Sequence, residues 1–220
     1  MQNPFLPSFE HLPSTLPIFP LQDALVMPGA QLPLNIFEPR YLKMVQNSLA
    51  THHLIGMVQP ASILKDETED KDKVYSTGGA GRITFYNETD DGRIEIMLTG
   101  VCRFDIKQEL PSRHGYRLVE PDWHRFAADY EFSELDESSN KPAFFATLDN
   151  YLQANNLEMN QDVLKQLPFA QVLNVLTTLL PLHHSDKQAI IETVTFSERF
   201  LLLSSTIEMM SSAGQSHLRH

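Results

Sequence analysis

The sequence predicts an α+β fold in which a unit of short β-strands precedes an α-helical bundle. Residues 81–87 and 93–100 alternate apolar and polar side chains on period two, and Asp91-Gly92 between them is a strong hairpin signal. Later in the chain, this alternation gives way to apolar residues at helical spacing. The stretch 129–139 carries acidic residues and no basic one, which indicates a connection between the two units.

The chain is predicted to begin with an irregular arm at residues 1–15, which show no period. LPIFPL at 16–21 is predicted to be a short edge strand, because Pro20 has no N–H to donate to a central ladder. ALVMPGAQLPLNIF at 24–37 is predicted to form a strand, a Pro-Gly turn and a second strand.

A helix of about three turns is predicted to start at Pro39. Pro39 holds Glu38 extended and fits the first helical position, where its missing N–H would have no partner in any case. The apolar face of this helix consists of Tyr41, Leu42, Val45 and Leu49.

Further short strands are predicted at residues 54–60, 102–110 and 116–121. Several short strands with turn signals and a single helix indicate a small, partly closed β-barrel or a sandwich. We assign this β-rich unit to residues 16–122.

Residues 123–140 are assigned to the acidic connection and residues 141–220 to the helical bundle. Apolar spacing predicts one helix near 144–152, a short one near 163–167, and a third that Pro168 opens.

Two capping-box patterns predict the starts of the last two helices. Ser185 with Gln188 precedes one apolar run, and Thr195 with Glu198 precedes the next. The second run is the longer, and its apolar residues include Phe200, Leu201, Leu203, Ile207 and Met210.

The charge balance argues against phosphate-rich partners. The 220 residues include 28 acids and 17 bases, for a net charge of −11, and no run of Lys or Arg occurs. Binding to nucleic acid or to an anionic membrane depends on clustered cations. Neither is therefore an expected partner.

Cysteine usage and the absence of leader signals predict a cytoplasmic protein. Cys102 is the only cysteine, so no internal disulfide and no thiol-based zinc site can form. The first basic residue is Arg40, which leaves no positive segment for a secretory signal. No apolar run approaches the roughly 18 residues of a membrane span.

The sequence contains none of the strong catalytic motifs: no phosphate loop, no nucleophile elbow and no HExxH helix. The glycines of GGAGR (78–82) favour a turn or bulge over an anion cradle. The adjacent histidines at 52–53 and at 183–184 would point about 100° apart on a helix and do not form a two-ligand site. Cys102 is predicted to be a buried structural thiol. We expect no catalytic residue, metal or cofactor.

Glu38 and Arg40 flank Pro39 and form the most distinctive polar pair. They make a poor acid–base couple, because Arg keeps its proton at physiological pH. The favoured interpretation is structural: Glu38 accepts from free amides at the helix start, and Arg40 forks onto a carboxylate or carbonyls of a neighbouring strand. Trp123 is predicted to plug the gap between the β-rich unit and the bundle, with a cleft-lining role as the alternative.

The ordered motifs of this chain resemble those of the Lon protease N-terminal domain family, in the stand-alone form found in bacteria. The similarity begins with LPIFPLQDALVMPGAQLPLNIFEPRYLKMV and continues with GRI at 81–83, DGR at 91–93 and GVCRF at 100–104. LTTLLPL, SDKQAIIE and SERF resemble the family's helical extension. The resemblance covers about residues 15–212.

This resemblance implies a PUA-like β-barrel followed by a helical bundle. In full-length Lon proteases the region helps to bind protein substrates and to assemble the ring, and a similar barrel occurs in cereblon. The phosphate loop and the Ser-Lys protease domain of those enzymes are missing from these 220 residues. The resemblance therefore implies a non-catalytic module, for which a protease label would mislead.

We accordingly expect a protein that binds unfolded polypeptide segments or a partner protein. The expected surface is a groove between barrel and bundle, near Glu38, Arg40, Tyr41, Arg82 and Trp123. The alternative is a PUA-like protein that binds a small molecule or RNA, although the net charge of −11 counts against RNA.

Overall fold

The computed structural model describes residues 6–61, 73–112, 114–130 and 140–217. Over these residues the fold is mixed α+β, as predicted, with a six-stranded sheet and several helices. The strands are β1 (Leu16–Pro20), β2 (Gln31–Ile36), β3 (Leu54–Val58), β4 (Thr77–Glu88), β5 (Ile94–Leu110) and β6 (Arg117–Asp122). The α-helices are α1 (Pro39–Leu49), α2 (Lys141–Ala154), α3 (Gln161–Lys165), α4 (Phe169–Leu179), α5 (His184–Glu192) and α6 (Phe196–His217). Short 3-10 helices occur at Phe9–His11 and His124–Tyr130.

The sheet closes on itself through its longest strand. Its order is β2-β5-β4-β3-β1-β6, and β6 also pairs with β5. The first part of β5 pairs with β4 and β2, whereas Asp105–Leu110 at its end pairs with β6. Strands β5, β4, β3, β1 and β6 therefore form a closed ring, which we call the barrel, and β2 lies outside it.

The prediction of an edge strand at 16–21 is wrong. β1 lies between β3, to which it is parallel, and β6, to which it is antiparallel. Pro20 is the last residue of the strand, and the next residue continues the pairing, since the Leu21 N–H donates to the Val58 carbonyl at 3.0 Å. A proline at the end of a strand removes little from a ladder, so Pro20 does not force β1 to the edge.

The prediction of a strand at 24–27 is also wrong, because this segment crosses over β4 and β5 instead of pairing beside them. A Cβ atom on Gly79 would lie 1.9 Å from the Val26 carbonyl oxygen, and one on Gly100 would lie 2.0 Å from the Met27 oxygen. Only glycine permits so close an approach between two backbones. The glycines that the sequence suggested as a turn or bulge thus lie within β4, which is irregular between Ala80 and Gly81.

The crossing segment separates the sheet from the C-terminal helices. Leu25 and Met27 pack with Ala30 and with Ile191 of α5, whereas Val26 joins the core between the sheet and α1. The three side chains therefore alternate between two sides, as in an extended chain, but both sides are buried and no polar face results.

The C-terminal helices share a hydrophobic core of their own, centred on α2, α4 and α6. Its fully buried members include Leu148, Tyr151, Leu173, Leu176, Leu203 and Ile207. The predicted third helix corresponds to α4, with Pro168 at its N-cap.

The capping box at the start of α6 is confirmed, and the one at α5 is not. Glu198 N donates to Thr195 Oγ1 at 3.2 Å, and Thr195 N donates to Glu198 Oε2 at 3.0 Å. α5 instead begins at His184, before Ser185. Gln188 is buried and its amide donates to the Thr77 carbonyl of β4, because this part of α5 faces the barrel.

A buried ion pair fastens α5 to the barrel. Arg103 of β5 is 1% exposed and its guanidinium donates to both carboxylate oxygens of Asp129, which is 4% exposed, at 2.7 to 3.2 Å. The same guanidinium donates to the carbonyls of Ile191 and Thr193 at the end of α5 and lies over the Phe126 ring. Arg103 thus joins β5, the 3-10 helix at 124–130 and α5. The remaining residues of the predicted acidic connection, 131–139, lie outside the described residues.

Candidate functional site

Glu38 and Arg40 form an exposed pair on the surface. The Glu38 carbonyl caps α1 by accepting from the amides of Tyr41 and Leu42, each at 2.9 Å, but its carboxylate makes no capping bond. That carboxylate accepts from Arg40 at 2.9 to 3.0 Å instead. Both side-chain roles expected from the sequence are therefore wrong, because the Glu38 carboxylate and the Arg40 guanidinium form an ion pair with each other on the exposed surface.

Arg40 and Tyr41 line a small cleft at one end of the barrel, which we call the Arg40 cleft. Its volume is about 170 Å³. The polar side chains of its wall are Arg40, Tyr41, Lys73, Tyr116 and Arg117, and Pro20, Pro60, Val74 and Gly115 complete it. These residues come from the end of β1, the first turn of α1, the segment after β3, the residues before β4 and the start of β6.

Tyr41 is fixed in this cleft by its ring. Its side chain is 6% exposed, and the ring packs against Phe19 with centroids 4.1 Å apart. The Arg40 guanidinium lies 4.6 Å from the centre of the same ring. Burial raises the pKa of Tyr41, although the nearby cations Arg40 and Arg117 oppose the rise. The hydroxyl therefore stays protonated at neutral pH.

Arg82 and Trp123, the other predicted binding residues, do not line the Arg40 cleft. Arg82 on β4 donates to the His52 carbonyl at 3.4 Å. Trp123 packs with Phe104 in the barrel core, and its indole N–H donates to the Pro13 carbonyl at 3.1 Å. Trp123 thus holds the N-terminal arm, a role that differs from both roles considered from the sequence.

A larger, shallow and open depression lies between α5, α6 and the 3-10 helix at 124–130, and we call it the α5–α6 groove. Its volume is about 790 Å³. Its wall contains Arg125, Ala189, Glu192, Thr193, Val194, Glu198, Leu201, Leu202 and Ser205. Leu201 is 65% exposed, although it is a large apolar side chain.

The charged groups of this groove are already engaged. Arg125 pairs with Asp105 at 3.2 Å and donates to the Glu192 carbonyl at 2.7 Å. The Glu198 carboxylate accepts hydrogen bonds from the amides of Thr195 and Val194. These bonds lower the pKa of Glu198, and the bond from Thr195 has the largest effect. Groups held in this way suit the rim of a binding surface better than they suit proton transfer.

Sequence reasoning missed the α5–α6 groove, although one signal was present. Residues 200–203 read FLLL, and successive residues on a helix point about 100° apart. Four consecutive apolar residues cannot all face one core. At least one of them has to face outwards, and in the structure that residue is Leu201.

Cys102 is buried as predicted, between the barrel core and the 3-10 helix. Its thiol is 0% exposed and lies 3.7 Å from the Phe126 carbonyl. Burial raises its pKa, and the neighbouring Asp129 adds to the rise. Since the thiolate is the reactive form, this environment suppresses nucleophilic chemistry.

We expect Cys102 to react with Ellman's reagent at least about 100-fold more slowly in the native protein than in urea, because the reagent needs a solvent-exposed thiolate. The measurement is the absorbance time course at pH 8 with and without denaturant. Rapid stoichiometric reaction of the native protein would contradict the burial of this thiol.

Two features are absent from the described ranges. Within them, no group of three His, Cys, Asp or Glu side chains has a geometry that could hold a metal ion. Among the helices of the same ranges, none combines the length and apolar character needed to cross a bilayer.

The fold is that of an α+β domain with a closed sheet followed by helices. The sequence profile of the ATP-dependent protease La (LON) substrate-binding domain matches residues 15–209, so this chain belongs to that family. Family membership identifies it as a domain of the substrate-recognition type.

Individual relatives agree with this assignment. The Lon protease of Flavobacterium johnsoniae is 30% identical over 141 residues, which are 64% of this chain and 16% of that protein. The Lon protease of Buchnera aphidicola subsp. Baizongia pistaciae is 23% identical over 197 residues, 88% of this chain and 24% of the relative. This chain therefore spans a quarter or less of the length of these two proteins.

Solved structures show the same fold. A Lon N-terminal domain protein from Xanthomonas campestris has a TM-score of 0.56 at 22% identity, and the match covers 87% of this chain and 98% of that one. The N-terminal domain of the Mycobacterium avium complex Lon protease has a TM-score of 0.59 at 16% identity, with 88% and 97% covered.

Proposed function

We propose that this protein is a non-catalytic recognition module that binds unfolded polypeptide segments, or an unfolded segment of a partner protein. In this proposal the closed sheet is a PUA-like barrel of residues 16–122, residues 123–140 connect it to the helices, and residues 141–220 form a helical bundle. The family match and the names of the relatives support the substrate-recognition class. The binding surface is the α5–α6 groove.

The observation that carries this proposal is the exposure of Leu201 inside the groove. Val194 and Leu202 line the same groove, together with the charged residues Glu192 and Glu198. Exposed apolar side chains with charged side chains among them match the general composition of a polypeptide-binding surface. Burying one such leucine against a partner contributes about 1.5–3 kcal/mol. The groove therefore suits the apolar side chains that unfolded segments expose.

The direct test is binding of an apolar peptide: a short, rhodamine-labelled sequence rich in Leu and Phe, without acidic residues and with an amidated C-terminus. We expect the Leu201→Glu variant to bind this peptide at least about 10-fold more weakly than wild type, because the substitution removes apolar contact area. The added carboxylate also lies next to Glu198. Fluorescence anisotropy measures the affinities.

Phe85→Glu is the matched control, because Phe85 is also a large apolar residue, 54% exposed, and lies on β4 away from the groove. It should bind the peptide like wild type. If wild type does not bind the peptide, or if both variants lose binding equally, the proposed function is wrong.

Two further aspects of the proposal concern partners and compartment. The net charge of −11 argues against RNA as the ligand, so binding of mixed RNA should remain weak at moderate salt. A single buried thiol suits a reducing compartment, which supports the cytoplasm as the place of action.

A further inference from the structure

We propose that the Arg40 cleft is a second binding site, which takes a carboxylate group of a bound polypeptide. The inference rests on the polypeptide recognition proposed above, but it concerns a different surface and a different chemistry. The α5–α6 groove offers apolar contacts, whereas the Arg40 cleft offers cations and a hydroxyl donor.

Among the described residues, the charged side chains that line the cleft are all cations: Arg40, Lys73 and Arg117. This is unusual for a protein with 28 acids and 17 bases, in which a random surface patch would be acidic. The cleft is therefore complementary in charge to an anion and not to a second cation-rich surface.

The acidic partner of Arg40 does not line the cleft. Arg40 pairs with Glu38, which is 44% exposed. Exposed pairs of this kind contribute little to stability. A guanidinium also has five N–H donors, so Arg40 can bind an incoming carboxylate while it keeps Glu38 as its partner.

Tyr41 provides a donor that the described part of the fold leaves unused. Its side chain is more than nine-tenths buried and lines the cleft, yet its hydroxyl makes no hydrogen bond with a described residue and is not among the fully enclosed polar atoms. Because the hydroxyl is open to the cleft, a ligand acceptor can bind it without breaking a hydrogen bond between described residues. A carboxylate oxygen is such an acceptor.

The size of the cleft and the helix start favour a single carboxylate side chain or chain end. Sites for drug-sized ligands occupy about 300–1,000 Å³, whereas this cleft occupies about 170 Å³. Arg40 and Tyr41 belong to the first turn of α1, whose dipole is positive at this end. The apolar walls at Pro20 and Pro60 can contact the aliphatic part of the same residue.

The test uses label-free calorimetry with three versions of the apolar peptide described above. The first carries one internal Glu and an amidated C-terminus, the second has Gln in its place, and the third has Gln and a free C-terminal carboxylate. We expect wild type to bind at least one carboxylate version about 5-fold or more tightly than the Gln amide, because hydrogen bonds to a charged acceptor are stronger than those to a neutral one. Comparison of the first and third peptides identifies the source of the carboxylate.

Tyr41→Phe keeps the ring and removes only the hydroxyl. This variant and Lys73→Gln should each abolish most of the preference for the carboxylate peptides over the Gln amide peptide. Arg40→Gln should do the same, and Arg93→Gln is its matched control. Arg40 and Arg93 are both 51% exposed and both pair at 2.9 Å with an acid two residues earlier. Arg93→Gln should leave the preference unchanged.

Three outcomes would overturn the proposal: equal affinity for all three peptides, a preference that survives Tyr41→Phe and Lys73→Gln, or displacement of the Glu peptide by an equal concentration of inorganic phosphate.

The groove variant Leu201→Glu separates this inference from the proposed function. Loss of binding in Leu201→Glu with no effect of the cleft variants leaves the proposed function standing and refutes the cleft. The reverse result supports the cleft and refutes the groove.

Discussion

Arg103→Ala is expected to lower the free energy of unfolding by about 3–5 kcal/mol, because it breaks a buried ion pair. The substitution leaves Asp129 buried without its partner and removes the donors to the Ile191 and Thr193 carbonyls. Since Arg103 joins β5, the 3-10 helix and α5, the loss affects the contact between barrel and helices. Urea denaturation followed by circular dichroism measures it.

Arg125→Ala is the matched control for Arg103→Ala. Arg125 also pairs with an aspartate and also donates to a carbonyl of α5, but its side chain is 41% exposed. Exposed pairs contribute little, so the expected loss is below about 1 kcal/mol. The double variant Arg103→Met/Asp129→Leu should be more stable than Arg103→Ala, because no buried charge remains unpaired. A loss below about 1 kcal/mol for Arg103→Ala would show that the buried pair does not fasten the two parts.

Gly100→Ala is expected to cost at least about 3 kcal/mol, although it adds a single methyl group. The new Cβ atom would lie 2.0 Å from the Met27 carbonyl oxygen and 2.6 Å from the Met27 carbonyl carbon. Both atoms are backbone, so no side chain can turn away to relieve the clash. Gly100 also exchanges two hydrogen bonds with Gly29 and Ala30, at 2.9 and 2.8 Å, which the displaced segment would lose.

Thermal and urea unfolding of Gly100→Ala should therefore show a lower midpoint, together with faster proteolysis within residues 24–30. The control is Gly92→Asn in the β4–β5 hairpin, where a Cβ atom meets nothing within 4 Å and φ is +82°. Asn tolerates this left-handed conformation, so the expected change is below about 1 kcal/mol. Wild-type stability in Gly100→Ala would refute the close crossing of the 24–28 segment over the sheet.

Local patterns predicted most of the elements, because each depends on residues near one another in the chain. Period-two alternation located β4 and β5, and Pro39 located the start of α1. The two strand errors have a different origin. Residues 24–27 are apolar because they are buried between sheet and helices, and the central position of β1 depends on pairing with β6, about 100 residues away.

The candidate sites were harder to predict than the fold, because their residues come together from segments that are far apart in the chain. Arg40 and Tyr41 were recognised, but Lys73 and Arg117 reach the same cleft from distant segments that no spacing rule connects. Arg103 and Asp129 are 26 residues apart, and the sequence assigned Asp129 to the acidic connection between the two units. Leu201 was named only among the apolar residues of the last helix, although the FLLL run required one of its residues to face outwards.

Photo-crosslinking tests polypeptide recognition in the α5–α6 groove most directly. A benzophenone side chain placed at position 201 should crosslink the apolar peptide, because Leu201 lies in the groove and is 65% exposed. The same side chain at position 85, on the exposed face of β4, should capture little of it. Strong crosslinking at 201 with little at 85 is the expected result. Equal capture at both positions, or none at 201, would contradict the assignment of the groove as the polypeptide-binding surface.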